Sequence, residues 1–229
     1  MIELFRNHPF FANMRIASCK LLANQGYCNE NYLLIANDTK YIVRKLLRDD
    51  VDRELEWKVQ RLAYDVGITA EPLVFDRKQG FMVFSFLEGE HKNKLDKNDV
   101  IHLAKILQKL HAIKVDNAPI NLEIKNKTEE VLQAFSVIDK YPKEYVLCHN
   151  DLNPKNIFFS NDIKLIDWEY AGMNDRYFDL ACICVEFHLG EEMQKVFLDA
   201  YFEGEYAFDK LEAYKVIYRQ LCKEWFENM

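Results

Sequence analysis

No apolar run in the 229 residues approaches the length of a bilayer span, so helical membrane insertion is excluded as an expectation. The opening MIELFRNHPFF lacks a basic region followed by a long apolar stretch, and no signal peptide is expected from it. Positive charge is in deficit: 30 Lys and Arg against 37 Asp and Glu leave a net charge of −7, a poor match to nucleic acid. The six cysteines (Cys19, Cys28, Cys148, Cys182, Cys184, Cys222) show no paired metal-type spacing, which points to free thiols and a reducing, cytoplasmic setting. Long polar tracts are also missing. With 49% apolar residues the chain can build a core, as one large domain or two small ones.

What is present concentrates between Val146 and Asp167. The apolar Val146-Leu147-Cys148 enters a polar loop, His149-Asn150-Asp151-Leu152-Asn153-Pro154-Lys155-Asn156. Ile157-Phe158-Phe159 and Ile163-Lys164-Leu165-Ile166 follow, and the intervening Ser160-Asn161-Asp162 predicts a tight antiparallel hairpin. A turn centred on Asn161-Asp162 sets Asn156 opposite Asp167. An amide oxygen and a carboxylate at the open end of a hairpin are hard ligands suited to Mg²⁺. A further carboxylate, Asp151, stands in the adjoining loop to accept a hydroxyl proton. Taken singly these residues are turn formers and caps. Together, His149-x-Asp151-x-x-x-x-Asn156 with Ile166-Asp167-Trp168 downstream matches the general kinase template of loop base and metal-binding Asn and Asp.

Further residues narrow the match: Asp167-Trp168-Glu169-Tyr170, then Asn174-Asp175 and Phe178-Asp179-Leu180-Ala181. From His149 to Glu186 the chain resembles the choline/ethanolamine kinase family, with weaker likeness back to about Gln25. Thiamine kinases and aminoglycoside phosphotransferases share the loop and parts of the Asp-Trp-Glu-Tyr segment. The resemblance implies an α+β, two-lobed protein-kinase-like fold. An antiparallel-sheet lobe over residues 1–84 and a hinge at 85–90 would lead to a mostly helical lobe over 91–229. It implies ATP and Mg²⁺ as cofactors and a small-molecule amino alcohol as acceptor, choline first and ethanolamine next. Thiamine or an aminoglycoside is the alternative acceptor, and a nucleotide-binding pseudokinase is the alternative outside enzymes.

Along the chain, residues 19–22 begin a first strand, and residues 24–31 turn it into Tyr32-Leu33-Leu34-Ile35. With the single Gly26 this reads by itself as an ordinary hairpin; the resemblance implies a phosphate-covering turn using Asn29 and Asn31, with Cys28 where Thr or Ser is usual. In the strand Lys40-Tyr41-Ile42-Val43-Arg44-Lys45-Leu46, alternation points Arg44 and Lys45 to opposite faces, and the resemblance selects Arg44 for phosphate. Residues 51–66 predict a helix with Leu55, Val59, Leu62 and Val66 on one face, closed by Gly67. Glu54 or Glu56 could reach Arg44 from it; the Arg53-Glu54 pair of the resemblance favours Glu54. The apolar strand at 81–87 supplies Phe86 and Leu87, implied backbone contacts for adenine.

Helices are predicted over 96–111, capped by Asp96 or Asn98, and over 128–138. His111 reads as a structural histidine. Residues 180–189 predict an apolar helix carrying Glu186, and residues 194–226 are helical and aromatic. The resemblance implies that Glu186, Glu169, Tyr170 and Trp225 surround a substrate cation, and that Asp179 braces the loop.

Overall fold

The computed structural model describes residues 8–23, 29–48 and 50–227. The chain divides into two compact units, Met1–Glu88 and Gly89–Met229.

The first unit is a five-stranded antiparallel sheet in the order β1-β2-β3-β5-β4. Its strands are β1 (Ile16–Leu21), β2 (Asn29–Ala36), β3 (Thr39–Leu46), β4 (Pro72–Asp76) and β5 (Phe81–Ser85), with helix α1 (Arg53–Asp65) between β3 and β4. Asn37 and Asp38 both take positive φ, the conformation a two-residue hairpin needs, and this fixes Ala36 opposite Thr39. From that register Asn31 faces Arg44 across the ladder, and Arg44 faces Met82. One side of the sheet buries Leu34, Val43, Phe81 and Val83 against Phe11. The other buries Met82 and Phe84 with Ala70, packed by Trp57 of α1. Strand β1 starts three residues before the predicted 19–22, because Ile16 already pairs with Ala36.

Helix α1 corrects the predicted stripe. The buried positions are Glu56, Val59, Gln60 and Ala63, whereas Val66 is exposed. An apolar-only reading misses this face because two of its members are polar. Gln60 donates to Thr69 Oγ1 and to the carbonyl of Ala70, and Glu56 is ion-paired, so both are buried with partners. Gly67, at φ 77°, ends the helix as expected, with the Ile68 amide returning to the Ala63 carbonyl.

The second unit is mostly helical: α2 (Lys97–Ala112), α3 (Glu129–Ile138), α4 (Arg176–Glu186), α5 (Glu191–Tyr201) and α6 (Phe208–Glu227). Asp96 and Asp99 form a reciprocal capping box at the start of α2. Two small ladders lie among the helices: β6 (Tyr145–Cys148) with β9 (Gly172–Asp175), and β7 (Ile157–Phe159) with β8 (Ile163–Leu165). Near the unit's start Gly89 runs against the backbone of Phe159. A Cβ there would sit 2.8 Å from the Phe159 oxygen, and with φ 155° only glycine fits.

The start of α6 is tied to the start of α4 by a buried lysine. Lys210 Nζ lies 2.8 Å from Asp175 and 3.3 Å from Glu144, and it also donates to the carbonyl of Pro142. Asp175 itself caps α4 by accepting from the Tyr177 amide. The site-bearing loop between β6 and β7 is thus held on a frame fixed from both ends.

Candidate active site

The loop between β6 and β7 is organised from below by one buried carboxylate. Asp179, on the first turn of α4, is fully buried and accepts from the backbone amides of His149 (2.8 Å) and Asn150 (2.9 Å). His111 Nε2 lies 3.2 Å from the same carboxylate, and its Nδ1 meets the Tyr201 hydroxyl at 2.6 Å. Both residues therefore act as the sequence reading expects, as brace and as structural histidine. His111, Cys148 and Asp179 bring a nitrogen, a sulfur and an oxygen within 4.8 Å of one another. Burial holds the Cys148 thiol protonated, far above its ordinary range, and Asp179 already receives two backbone amides. The cluster is a hydrogen-bonded brace.

Above the brace the chain adopts left-handed geometry at Asn150, φ 66°. The Asn150 amide donates to the Tyr170 carbonyl at 3.0 Å and accepts from Asn174 Nδ2 at 2.8 Å, which fastens the loop to β9. His149 reaches the Ile166 carbonyl through Nε2 and accepts the Asp151 amide through Nδ1, so its ring stands between the loop and the end of β8. The buried Trp168 packs against it at 4.7 Å.

Asp151 is held by side-chain amides on both oxygens: Asn153 Nδ2 at 3.0 Å on Oδ1, and Asn156 Nδ2 at 2.7 Å on Oδ2. Asn156 also donates to the Asp151 carbonyl. With its nitrogen turned to Asp151, the Asn156 amide directs Oδ1 away from that loop, and an oxygen so presented fits a hard cation.

The hairpin exists, but its register differs by one residue from the predicted one. Ile157 pairs with Leu165 and Phe159 with Ile163, which centres the turn on Asn161. Ser160 and Asp162 bond to each other across that turn, making it three residues long. Asn156 consequently pairs with Ile166, whose amide donates to its carbonyl at 2.9 Å, and Asp167 lies one residue further on. A slip of one residue in an extended strand would reverse the side chain's face. Asp167 has left the strand, at φ 69° and ψ 68°, so strand alternation does not set its direction.

In the first unit Arg44 is buried, and its partner is Glu56, with Nη1 to Oε1 at 3.0 Å. Glu54 pairs instead with Arg77 in solvent, which corrects the expectation that Glu54 holds Arg44. Helix phase is the reason: the α1 face turned to the sheet contains 56, 59, 60 and 63, and residue 54 lies off it. Arg53 takes the other Glu56 oxygen at 2.7 Å and donates to Asn29 at 3.0 Å, while Arg44 Nε donates to Asn31 at 3.3 Å. The predicted residues Asn29, Asn31 and Arg44 therefore share one network with Glu56 and Arg53. The turn expected around Gly26, with Cys28, lies outside the described residues. Phe86, just past β5, has Lys40 Nζ 4.8 Å over its ring, and Leu87 packs on the Met82–Phe84 cluster.

For the expected acceptor residues, Glu169 and Tyr170 form a short 3-10 turn with Trp168, and Tyr170 is exposed. Glu186 ends α4 and accepts from the Tyr218 hydroxyl of α6 at 2.8 Å. Tyr218, Cys222 and Trp225 follow at spacings that share a helix face. Burial raises the Cys222 thiol above its ordinary range, against the lowering effect of a hydrogen bond with Tyr218, and the charges of Glu186 and Asp151 add to the rise. Trp225 is 37% exposed and sits edge-on to Phe226. In sequence Tyr218 is one of many aromatics in this helical stretch, and nothing there singles it out as the partner of Glu186.

The sequence matches the model of the phosphotransferase enzyme family over residues 120–214. Among curated proteins it is similar to protein LicA of Haemophilus influenzae, 25% identical over 225 residues, covering 86% of this chain and 66% of the relative. A second LicA of that species is 25% identical over 222 residues, with 84% and 83% covered. Among solved structures, the choline kinase LicA from Streptococcus pneumoniae superposes with a TM-score of 0.83 at 22% identity, covering 99% of this chain and 89% of that one. A LicA in complex with AMP gives 0.76 at 23% identity, with 93% and 84% covered. At such identities the structures speak for the fold, which is two-lobed and kinase-like, and among the described residues no helix is long and apolar enough to cross a membrane. The loop geometry, the phosphotransferase family match over residues 120–214 and the LicA relatives agree in what the chain is similar to: choline kinase LicA, on a kinase-like fold.

Proposed function

We propose that the protein transfers the γ-phosphoryl group of ATP to the hydroxyl of a small amino alcohol, choline first and ethanolamine next. The observation that carries this reading is the Asp151 carboxylate, oriented by two amides on a loop braced from beneath by Asp179. Phosphoryl transfer asks mainly for positioning and charge neutralisation, and the loop supplies the first. The acceptor hydroxyl donates to Asp151 while its oxygen bonds to the γ-phosphorus. The bond from that phosphorus to the bridging oxygen breaks, ADP leaves, and Asp151 takes up the hydroxyl proton.

Asn156 and Asp167 would hold Mg²⁺, being an amide oxygen and a carboxylate on either side of the β7–β8 hairpin. Magnesium, when bound, neutralises charge on the phosphate oxygens. Arg44, kept in place by Glu56, binds phosphate together with the backbone near Asn29 and Asn31. Phe86 and Leu87 supply backbone groups to adenine. Glu186, Glu169, Tyr170 and Trp225 receive the acceptor's cation. Choline has no N–H to donate, so carboxylate charge and ring faces are its available attractions, the rings at about 0.5–2 kcal/mol each. ATP use and free thiols fit a cytoplasmic enzyme.

ADP release measured across choline, ethanolamine, thiamine and kanamycin tests the assignment. Turnover on the amino alcohols, lowered about 10²–10⁴-fold in Asp151→Ala, is the expected result. Preference for thiamine or kanamycin would move the acceptor class. Nucleotide binding without turnover on any acceptor would replace the enzyme by an interaction module.

A further inference from the structure

Asn153 has no part in binding metal or phosphate in the reading above, yet its side chain makes two bonds in opposite directions. Its Oδ1 accepts the Lys155 amide at 2.9 Å and so caps the 3-10 turn Pro154–Asn156. Its Nδ2 donates to Asp151 Oδ1 at 3.0 Å, facing Asn156 across the same carboxylate. The terminal torsion of an aspartate is broad, so one hydrogen bond leaves the carboxylate free to rotate about its axis. Donors on both oxygens remove that freedom. Capping alone does not require asparagine, because Asp, Ser and Asn serve there about equally. Among these only asparagine joins an acceptor oxygen to an amide donor long enough to reach Asp151.

We propose that Asn153 is a positioning residue for phosphoryl transfer, its amide fixing the rotation of Asp151 so that the acceptor hydroxyl meets a carboxylate of one orientation. The proposal rests on the role given to Asp151. Its chemistry is confined to hydrogen bonding, and Asn153 itself touches neither ATP nor acceptor.

Asn153→Asp separates the two jobs, since it keeps the capping oxygen and loses the donor. The expected result is a thermal midpoint near wild type and an unchanged KM for ATP. kcat falls about tenfold to a hundredfold, the weight of a hydrogen bond to a charged group. A purely capping asparagine would leave kcat in place in the uncharged Asn153→Ser as well as in Asn153→Asp, and a wild-type kcat in both would overturn the proposal. If Asn153→Asp does not fold, Asn153→Ser, which caps but falls short of Asp151, decides by the same loss or retention of kcat. Asp151→Ala is run alongside. Wild-type turnover in that variant would remove the role of Asp151 and this proposal with it. An inactive Asp151→Ala beside fully active Asn153→Asp and Asn153→Ser would remove this proposal alone.

Discussion

Replacing Asp179 by asparagine exchanges one buried oxygen for an amide nitrogen and changes almost nothing in volume. In the native protein the two oxygens receive the amides of His149 and Asn150 at 2.8 and 2.9 Å, and His111 Nε2 lies at 3.2 Å. The variant can satisfy one backbone amide through its remaining oxygen, but its NH₂ then confronts the other donor. Leaving one buried donor unmatched costs about 1–3 kcal/mol, and exchanging a charged for a neutral acceptor weakens the surviving bond as well. The total is about 2–4 kcal/mol. For a chain of this size that lowers the thermal midpoint by about 4–16 °C. Asp179→Ala, which leaves both amides unmatched, should lose more.

The catalytic consequence is separate. Asp151 follows Asn150 directly, and Asn150 holds its left-handed conformation partly through the amide that Asp179 accepts. A displacement of about 1 Å at a reacting group can cost about 10²-fold in rate. At 15 °C, where the variant is still folded, ADP release should show kcat reduced by about that factor, with the KM for ATP altered far less. Circular-dichroism melting and single-temperature kinetics measure the two effects independently. Wild-type melting and wild-type kcat in Asp179→Asn would refute the claim that this carboxylate supports the loop.

Glu56→Gln should raise the KM for ATP and lower the melting temperature by disturbing the buried Arg44–Glu56–Arg53 network, whereas Glu54→Gln, whose partner Arg77 is exposed, should change stability by no more than about 0.5 kcal/mol. Equal effects from the two would contradict the pairing described above. Tyr218→Phe removes the hydroxyl that donates to Glu186 and should raise the acceptor KM about 5- to 20-fold while leaving that for ATP unchanged; an unaltered acceptor KM returns both residues to the core. Glu224 receives the Gln220 amide and the backbone amides of Lys125 and Asn126, which hold its carboxyl below the ordinary 4.5. Its contribution to stability is therefore fully present above about pH 4.5 and is lost as pH falls through the lower folded-state value. Acid titration of Glu224→Gln should lack that part of the slope, and superimposable acid transitions for variant and wild type would count against it.

Most of the helices and hairpins and the turn-rich character of the β6–β7 loop were legible in the sequence because they depend on neighbours along the chain, whereas β4, β9 and the break between α5 and α6 were not. The capping signal at Asp96, the αL glycine after α1 and the spacing of Asp151 to Asn156 act over five residues or fewer. Where a long-range partner decides, the sequence was silent or misleading. The hairpin register turned on whether the β7–β8 turn holds two residues or three, a choice made by Ser160 and Asp162 bonding to each other, and it moved Asp167 one place. The choice of Glu56 over Glu54 depended on the phase of α1 against the sheet, which buries a charged and an amide side chain because Arg44, Arg53 and Thr69 await them there. Tyr218 and Glu186 lie 32 residues apart and meet only when α6 lies on α4. Pattern along a chain reports which faces avoid water. Which polar groups accompany them inward is decided by partners that only the folded structure brings within reach.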